Sequence, residues 1–119
     1  MACKIITSSL FRKEAKRLIK KFPSLKSELN ELADSLEQNP MQGVALGNNS
    51  FKIRLAVKSK GKGKSGGMRV ITWVVVLLSE DSTDTLINLV TIFDKSEKEN
   101  ISDTKLKVMI AEIRDELKL

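Results

Sequence analysis

Seven basic side chains, Lys52, Arg54, Lys58, Lys60, Lys62, Lys64 and Arg69, fall between residues 52 and 69, the last five of them in the glycine-interleaved run KSKGKGKSGGMR. Ammonium and guanidinium groups in such a series can hold the phosphates of a polyanion, each contact releasing condensed counterions. The spacing divides them into two kinds. Phe51, Ile53, Leu55 and Val57 alternate with Lys52, Arg54, Ala56 and Lys58, the two-residue period of a strand. Lys52, Arg54 and Lys58 are therefore expected in a row on one sheet face, about 7 Å apart. Lys60, Lys62 and Lys64 then lie in a flexible Lys/Gly loop, and Arg69 opens the next strand. This pattern suits a clamp in which loop lysines gather a phosphate backbone and strand-mounted Lys52, Arg54 and Arg69 fix its position, as chemistry requires.

Other readings of the same residues are weaker. Gly63-Lys64-Ser65 matches the end of a phosphate-binding P-loop, but Lys58 stands where the first glycine belongs and a strand follows instead of a helix. An inert, solvated hairpin loop explains lysine and glycine. It does not explain why the loop continues a cationic row on the strand before it. The chain has no histidine and no tyrosine, so acid–base chemistry near neutral pH falls to Lys, Asp, Glu or water. The lone Cys3 has no partner for a disulfide and no neighbouring ligand for a metal. No metal or cofactor is expected.

The elements that must position these groups are legible from periodicity. Cys3 to Ile6 form a short first strand. Thr7, Ser8 and Ser9 offer N-cap oxygens for a helix beginning near Leu10, with Phe11, Ala15, Leu18, Ile19 and Phe22 on one stripe, stopped by Pro23. Ser24 caps a second helix carrying Leu25, Leu29, Leu32 and Leu36 and ending at Asn39-Pro40. A loop with Gly43, Gly47, Asn48 and Asn49 leads to the first basic strand. Met68 to Leu78 and Thr85 to Phe93 form two further strands around an acidic turn at Glu80 to Asp84, and their continuous apolarity marks them as central. Trp73 and Phe93 carry rings that can stack on bases, but their apolar context favours the core. Ser102 caps a last helix, Asp103 to Leu117, whose Leu106, Met109, Ile110, Ile113 and Leu117 can cover the second sheet face. The expected architecture is α+β: a short strand, a helix hairpin, an antiparallel three-strand meander and a C-terminal helix, in one domain over residues 1–119.

Composition agrees with that outline and narrows the partners. At 119 residues the chain suits one core. Lys+Arg 21 against Asp+Glu 15 gives +6, which favours a polyanionic partner. The longest apolar run, Val70 to Leu78, is too short to span a bilayer, and the N-terminus lacks a signal-peptide core. The cytoplasm, without membrane attachment, is the expected location.

The stretches FKIRLAVKSKGKGKSGGMRVI, Phe51 to Ile71, and TIFDKSEKENIS, Thr91 to Ser102, with the preceding helix hairpin and the closing helix, resemble the RelE/HigB-like toxins of bacterial type II toxin–antitoxin modules, within the RelE/ParE superfamily. The resemblance covers nearly the whole chain. It implies a compact RelE-like fold and an endoribonuclease, an mRNA interferase, that cuts mRNA in the 30S decoding site of the ribosome and so inhibits translation. The implied reaction needs no metal: the ribose 2′-oxygen attacks the neighbouring phosphate and leaves a 2′,3′-cyclic phosphate. It also implies a cognate antitoxin as partner and a monomer when free of it. By position in the motif Lys52, Arg54 and Arg69 match the family's strand-borne basic residues, and Lys95 falls in its distal segment after the last strand; these four are the catalytic candidates, with Lys58, Lys60, Lys62, Lys64 and Lys98 the candidates for holding RNA.

The chain departs from the family where some relatives carry a C-terminal tyrosine or histidine, and Ser96 or Lys98 stands where RelE has an arginine. The acid and base are accordingly open. A lysine serves as base only if its pKa falls from about 10.4, which crowded like charges promote; Asp94 and Glu97 are the carboxylate alternatives, with ordinary ion pairing the more common role for both. Two other functions fit: a non-catalytic inhibitor like the ParE branch, which acts on DNA gyrase, and an RNA- or ribosome-binding module without chemistry.

Overall fold

The computed structural model describes residues 2–61, 67–98 and 100–118. Among the described residues nine elements follow one another: β1 (Ala2–Thr7), α1 (Ser9–Lys21), α2 (Leu25–Gln38), β2 (Val44–Gly47), β3 (Ser50–Leu55), a 3₁₀ turn (Lys58–Lys60), β4 (Met68–Leu78), β5 (Thr83–Asp94) and α3 (Asp103–Leu117). The strands form one mixed sheet in the order β1-β5-β4-β3-β2. β1 runs parallel to β5, and the other pairings are antiparallel. The result is an α+β sheet with the helix hairpin on one face and α3 on the other. Among the described residues no helix is long and apolar enough to cross a membrane.

Local chemistry explains most boundaries. The Ser8 hydroxyl accepts from the Phe11 amide, 3.0 Å away, and caps α1. It also donates to the Val90 carbonyl at 2.7 Å, pinning the helix start to β5. Ser102 caps α3 by accepting from the Lys105 amide. Phe11, Leu18, Leu25, Leu32 and Leu36 pack against Ile53, Val70, Ile87, Leu89 and Ile92 in the larger core. Leu106 and Ile113 of α3 meet Ile71, Trp73, Val90 and Phe93 in a smaller one. Trp73 and Phe93 are thus core residues, and the inner parts of β4 and β5 are covered on both faces as their apolarity suggests.

Three details differ from the sequence expectation. The sheet has five strands, because Val44–Gly47, read as loop, pairs with β3 as an edge strand. It is short and largely exposed, so it shows no alternation to read. The signal that was available is Asn48-Asn49, both with positive φ of 52° and 61°, the geometry of a tight two-residue hairpin. Next, Ser24 does not cap α2 with its side chain; its hydroxyl donates to Glu28 instead. Finally, β3 ends at Leu55, and Lys58 begins the 3₁₀ turn rather than extending the strand row. A bulge also interrupts β5: Ile71 pairs with Thr91 and Thr72 with Leu89, leaving Val90 as the extra residue.

Candidate nucleic-acid interface

Cross-strand register assembles the strand-borne cations. Arg54 lies directly opposite Arg69, and Lys52 opposite Ile71. Arg69 in turn faces Phe93 on β5. Since directly paired residues share a face, Lys52, Arg54 and Arg69 stand on the α3 side of the sheet, toward the end where β3 and β5 finish. Arg54 is exposed and Lys52 half-buried, whereas Arg69 is only 4% exposed. Burial, and secondarily the charge of Arg54, lowers the Arg69 pKa from its ordinary value. An arginine nevertheless keeps its proton near neutrality. The Arg69 Nη1 donates to the Met68 carbonyl at 3.2 Å. Like charges placed directly opposite in a sheet are unfavourable, and here the buried member also loses hydration.

The remaining candidates are distributed around this patch. Lys95 is half-buried one residue past β5, and its amide donates to the Gly67 carbonyl at 3.2 Å, which brings it beside the start of β4. Lys98 is exposed, with its amide bound to the Asp94 carbonyl. Lys58 is also exposed. Lys62 and Lys64 lie outside the described residues. Lys60 is engaged elsewhere: its amine donates to Asp94 and, at 2.9 Å, to the Ser96 hydroxyl, and it sits 5.2 Å from the centre of the Phe22 ring. The Lys60 and Asp94 side chains are 5% and 3% exposed.

Neither carboxylate candidate for a base is held ready for that task. Burial pushes the Asp94 carboxyl up, but the bonds from Lys60 and from the amide and hydroxyl of Ser96 together leave its pKa below the usual value. A carboxylate so stabilised is a weak base at neutral pH. Glu97 pairs with Arg17 at 3.2 Å, and Arg17 also reaches Glu14 at 3.1 Å. Hydrogen bonds from Arg17 to Glu97 first and Glu14 second raise the Arg17 pKa.

Sequence reasoning missed the buried Glu28, which anchors the basic loop. The Lys58 amide donates to Glu28 Oε2 at 2.7 Å and the Ser24 hydroxyl to Oε1 at 3.0 Å. Ser24 and Ser59 then exchange amide-to-hydroxyl bonds of 2.9 Å in both directions. These partners are 30 and 35 residues apart, so no local pattern reveals them. The 3₁₀ turn before the loop is thereby fixed to the hairpin, while the amide of Lys95 holds Gly67 on the far side. We expect Glu28→Ala to cost about 2 kcal/mol, since it removes two bonds at a buried group. Urea unfolding followed by circular dichroism measures this, and a change below about 0.5 kcal/mol would contradict it.

Against known proteins, the chain matches no protein-family model, no curated protein and no solved structure.

Proposed function

We propose that this chain is the toxin of a type II toxin–antitoxin module, a HigB-like member of the RelE/ParE superfamily with a RelE-like fold, and that it cleaves mRNA on the ribosome. The observation that carries the reading is the facing pair Arg54 and Arg69, with Lys52 two residues along the same strand face. In this reading a phosphate rests on that patch. The ribose 2′-oxygen loses its proton to water and bonds to phosphorus, the bond to the 5′-oxygen breaks, and a 2′,3′-cyclic phosphate and a 5′-hydroxyl result. Lys52, Arg54 and Arg69 stabilise the additional charge of the pentacoordinate transition state, as preorganised donors do in a partly dehydrated site. Lys95, at the border of the patch, donates the proton that the leaving 5′-oxygen takes. A cognate antitoxin would silence the protein by covering this basic face, where an acidic segment is complementary.

The test is to add purified protein to a translating bacterial extract and map 5′ ends on a reporter mRNA, with naked RNA in parallel. New ends confined to translated message are expected. A block of translation without new ends would leave a ribosome binder; loss of DNA supercoiling by gyrase, with intact message, would select the ParE-like alternative.

A further inference from the structure

The patch borders a cleft that the reaction above does not use. α3 fully buries Leu106 and Ile113 against the sheet, half-buries Met109, Ile110 and Leu117 there, and leaves open space beside the β2–β3 turn and β4. Two adjoining hollows result, of about 700 Å³ and 180 Å³, sharing Asn48, Lys107 and Ile110 in their walls. Trp73 and Val75 of β4 and Lys107 and Arg114 of α3 line the larger. Arg114 lies 5.3 Å from the centre of the Trp73 ring. Ser50 lines the smaller hollow. Its hydroxyl is buried, the residue being 1% exposed, and has no hydrogen-bond partner among the described residues.

Position along β3 connects this cleft to the cations. Ser50, Lys52 and Arg54 follow one another on the same face, in steps of about 7 Å. A single strand whose phosphate rests on Arg54 and Arg69 can therefore extend along β3 past Lys52 to Ser50. We infer that the cleft between α3 and the β2–β3 turn holds a neighbouring nucleotide of the same RNA strand, its base against the Trp73–Arg114 wall and its phosphate near Lys107. The chemistry matches that ligand in three respects. An arginine beside an indole, 5.3 Å from its centre, offers a surface of the kind on which unpaired bases are placed. The Asn48 and Asn49 amides, both on the cleft wall, supply donors and acceptors for a base edge. Lys107 and Arg114 outweigh the single carboxylate, Asp103, in the walls. The inference rests on the proposed RNA substrate, which the experiment separates from the cleft itself.

Trp73 is the only tryptophan and the chain has no tyrosine, so intrinsic fluorescence reports on the surroundings of this one ring, which lines the cleft. Uridine and adenosine 5′-monophosphates, and a short RNA made uncleavable by 2′-deoxy substitution, would be titrated into wild type, Lys107→Glu, Ser50→Ala and Arg54→Ala. Saturable quenching by a nucleotide, weakened about tenfold by Lys107→Glu and by Ser50→Ala but retained in Arg54→Ala, is the expected result. Lys107 is exposed, so its variant leaves the core untouched. No quenching by any of the three probes, with oligonucleotide binding still dependent on Arg54, would overturn the cleft site and leave the cationic patch standing. Quenching that follows this pattern, beside mRNA cleavage insensitive to Arg54→Ala, would support the cleft and remove the proposed reaction. A short poly-glutamate peptide that quenches when nucleotides do not would also overturn the inference.

Discussion

Arg69→Met is expected to lower ribosome-dependent mRNA cleavage by roughly 100- to 1,000-fold, the usual consequence of removing one preorganised donor to a transition-state oxyanion. The same substitution should leave the fold intact. Arg69 is almost fully buried between Arg54 on one neighbouring strand and Phe93 on the other. Methionine replaces most of its volume with a flexible apolar chain and removes the cation opposed to Arg54, which offsets part of what is lost with the guanidinium's bonds, that to the Met68 carbonyl among them, so the variant should stay folded with a lowered melting temperature. Arg69→Lys separates charge from shape: it keeps a cation but loses the planar fork that grips two phosphate oxygens, and activity should fall between the other two. Five-prime end mapping in a translating extract, beside thermal melts by circular dichroism, reads both effects. Full activity in a folded Arg69→Met protein would move the site away from the β3–β4 patch.

Where the sequence was legible, the reason was periodicity. The stripes Phe11–Ala15–Leu18 and Leu25–Leu32–Leu36 became buried helix faces, and the two-residue alternation from Phe51 placed Lys52 and Arg54 on one face. What remained hidden depends on contacts across long separations or on elements too short to have a period. β2 has four residues and one partner. Lys60 lies in the same Lys/Gly/Ser run as its neighbours, and only the return of β5 brings Asp94 and Ser96 to its amine, 34 and 36 residues later. Lys58 illustrates a third limit. Ala56-Val57 continues the alternation, and Val57 is buried, but the amide bond to Glu28 turns the backbone out of the sheet. The patch was legible because strand register is local; the anchoring of its loop was not.

That anchoring leads to the second large effect. Lys60→Met is expected to cost about 3–5 kcal/mol, because breaking a buried ion pair on one side leaves an uncompensated charge. The double variant Lys60→Met/Asp94→Leu should recover most of the loss, since an apolar pair of similar volume often replaces a buried ion pair without penalty. Acid distinguishes the variants by sign. In the wild type the folded Asp94 pKa lies below its unfolded value of 3.8. The contribution is therefore complete above that value and is lost as pH falls through the lower folded pKa. In Lys60→Met the burial that opposes ionisation loses its main counterweight, so the folded pKa rises, and lowering the pH from neutrality toward about 5 should stabilise that variant relative to wild type. Guanidinium midpoints at the two pH values test this; parallel pH dependence in all three proteins would show that the pair does not govern stability. Activity then tells which task the amine performs. Held by Asp94, Ser96 and the Phe22 ring, Lys60 must break those contacts to reach a phosphate. The double variant, whose 3₁₀ turn is still tied down by Glu28 and Ser24, should keep mRNA cleavage within about threefold of wild type, a small effect beside that of removing a donor to the reacting phosphate.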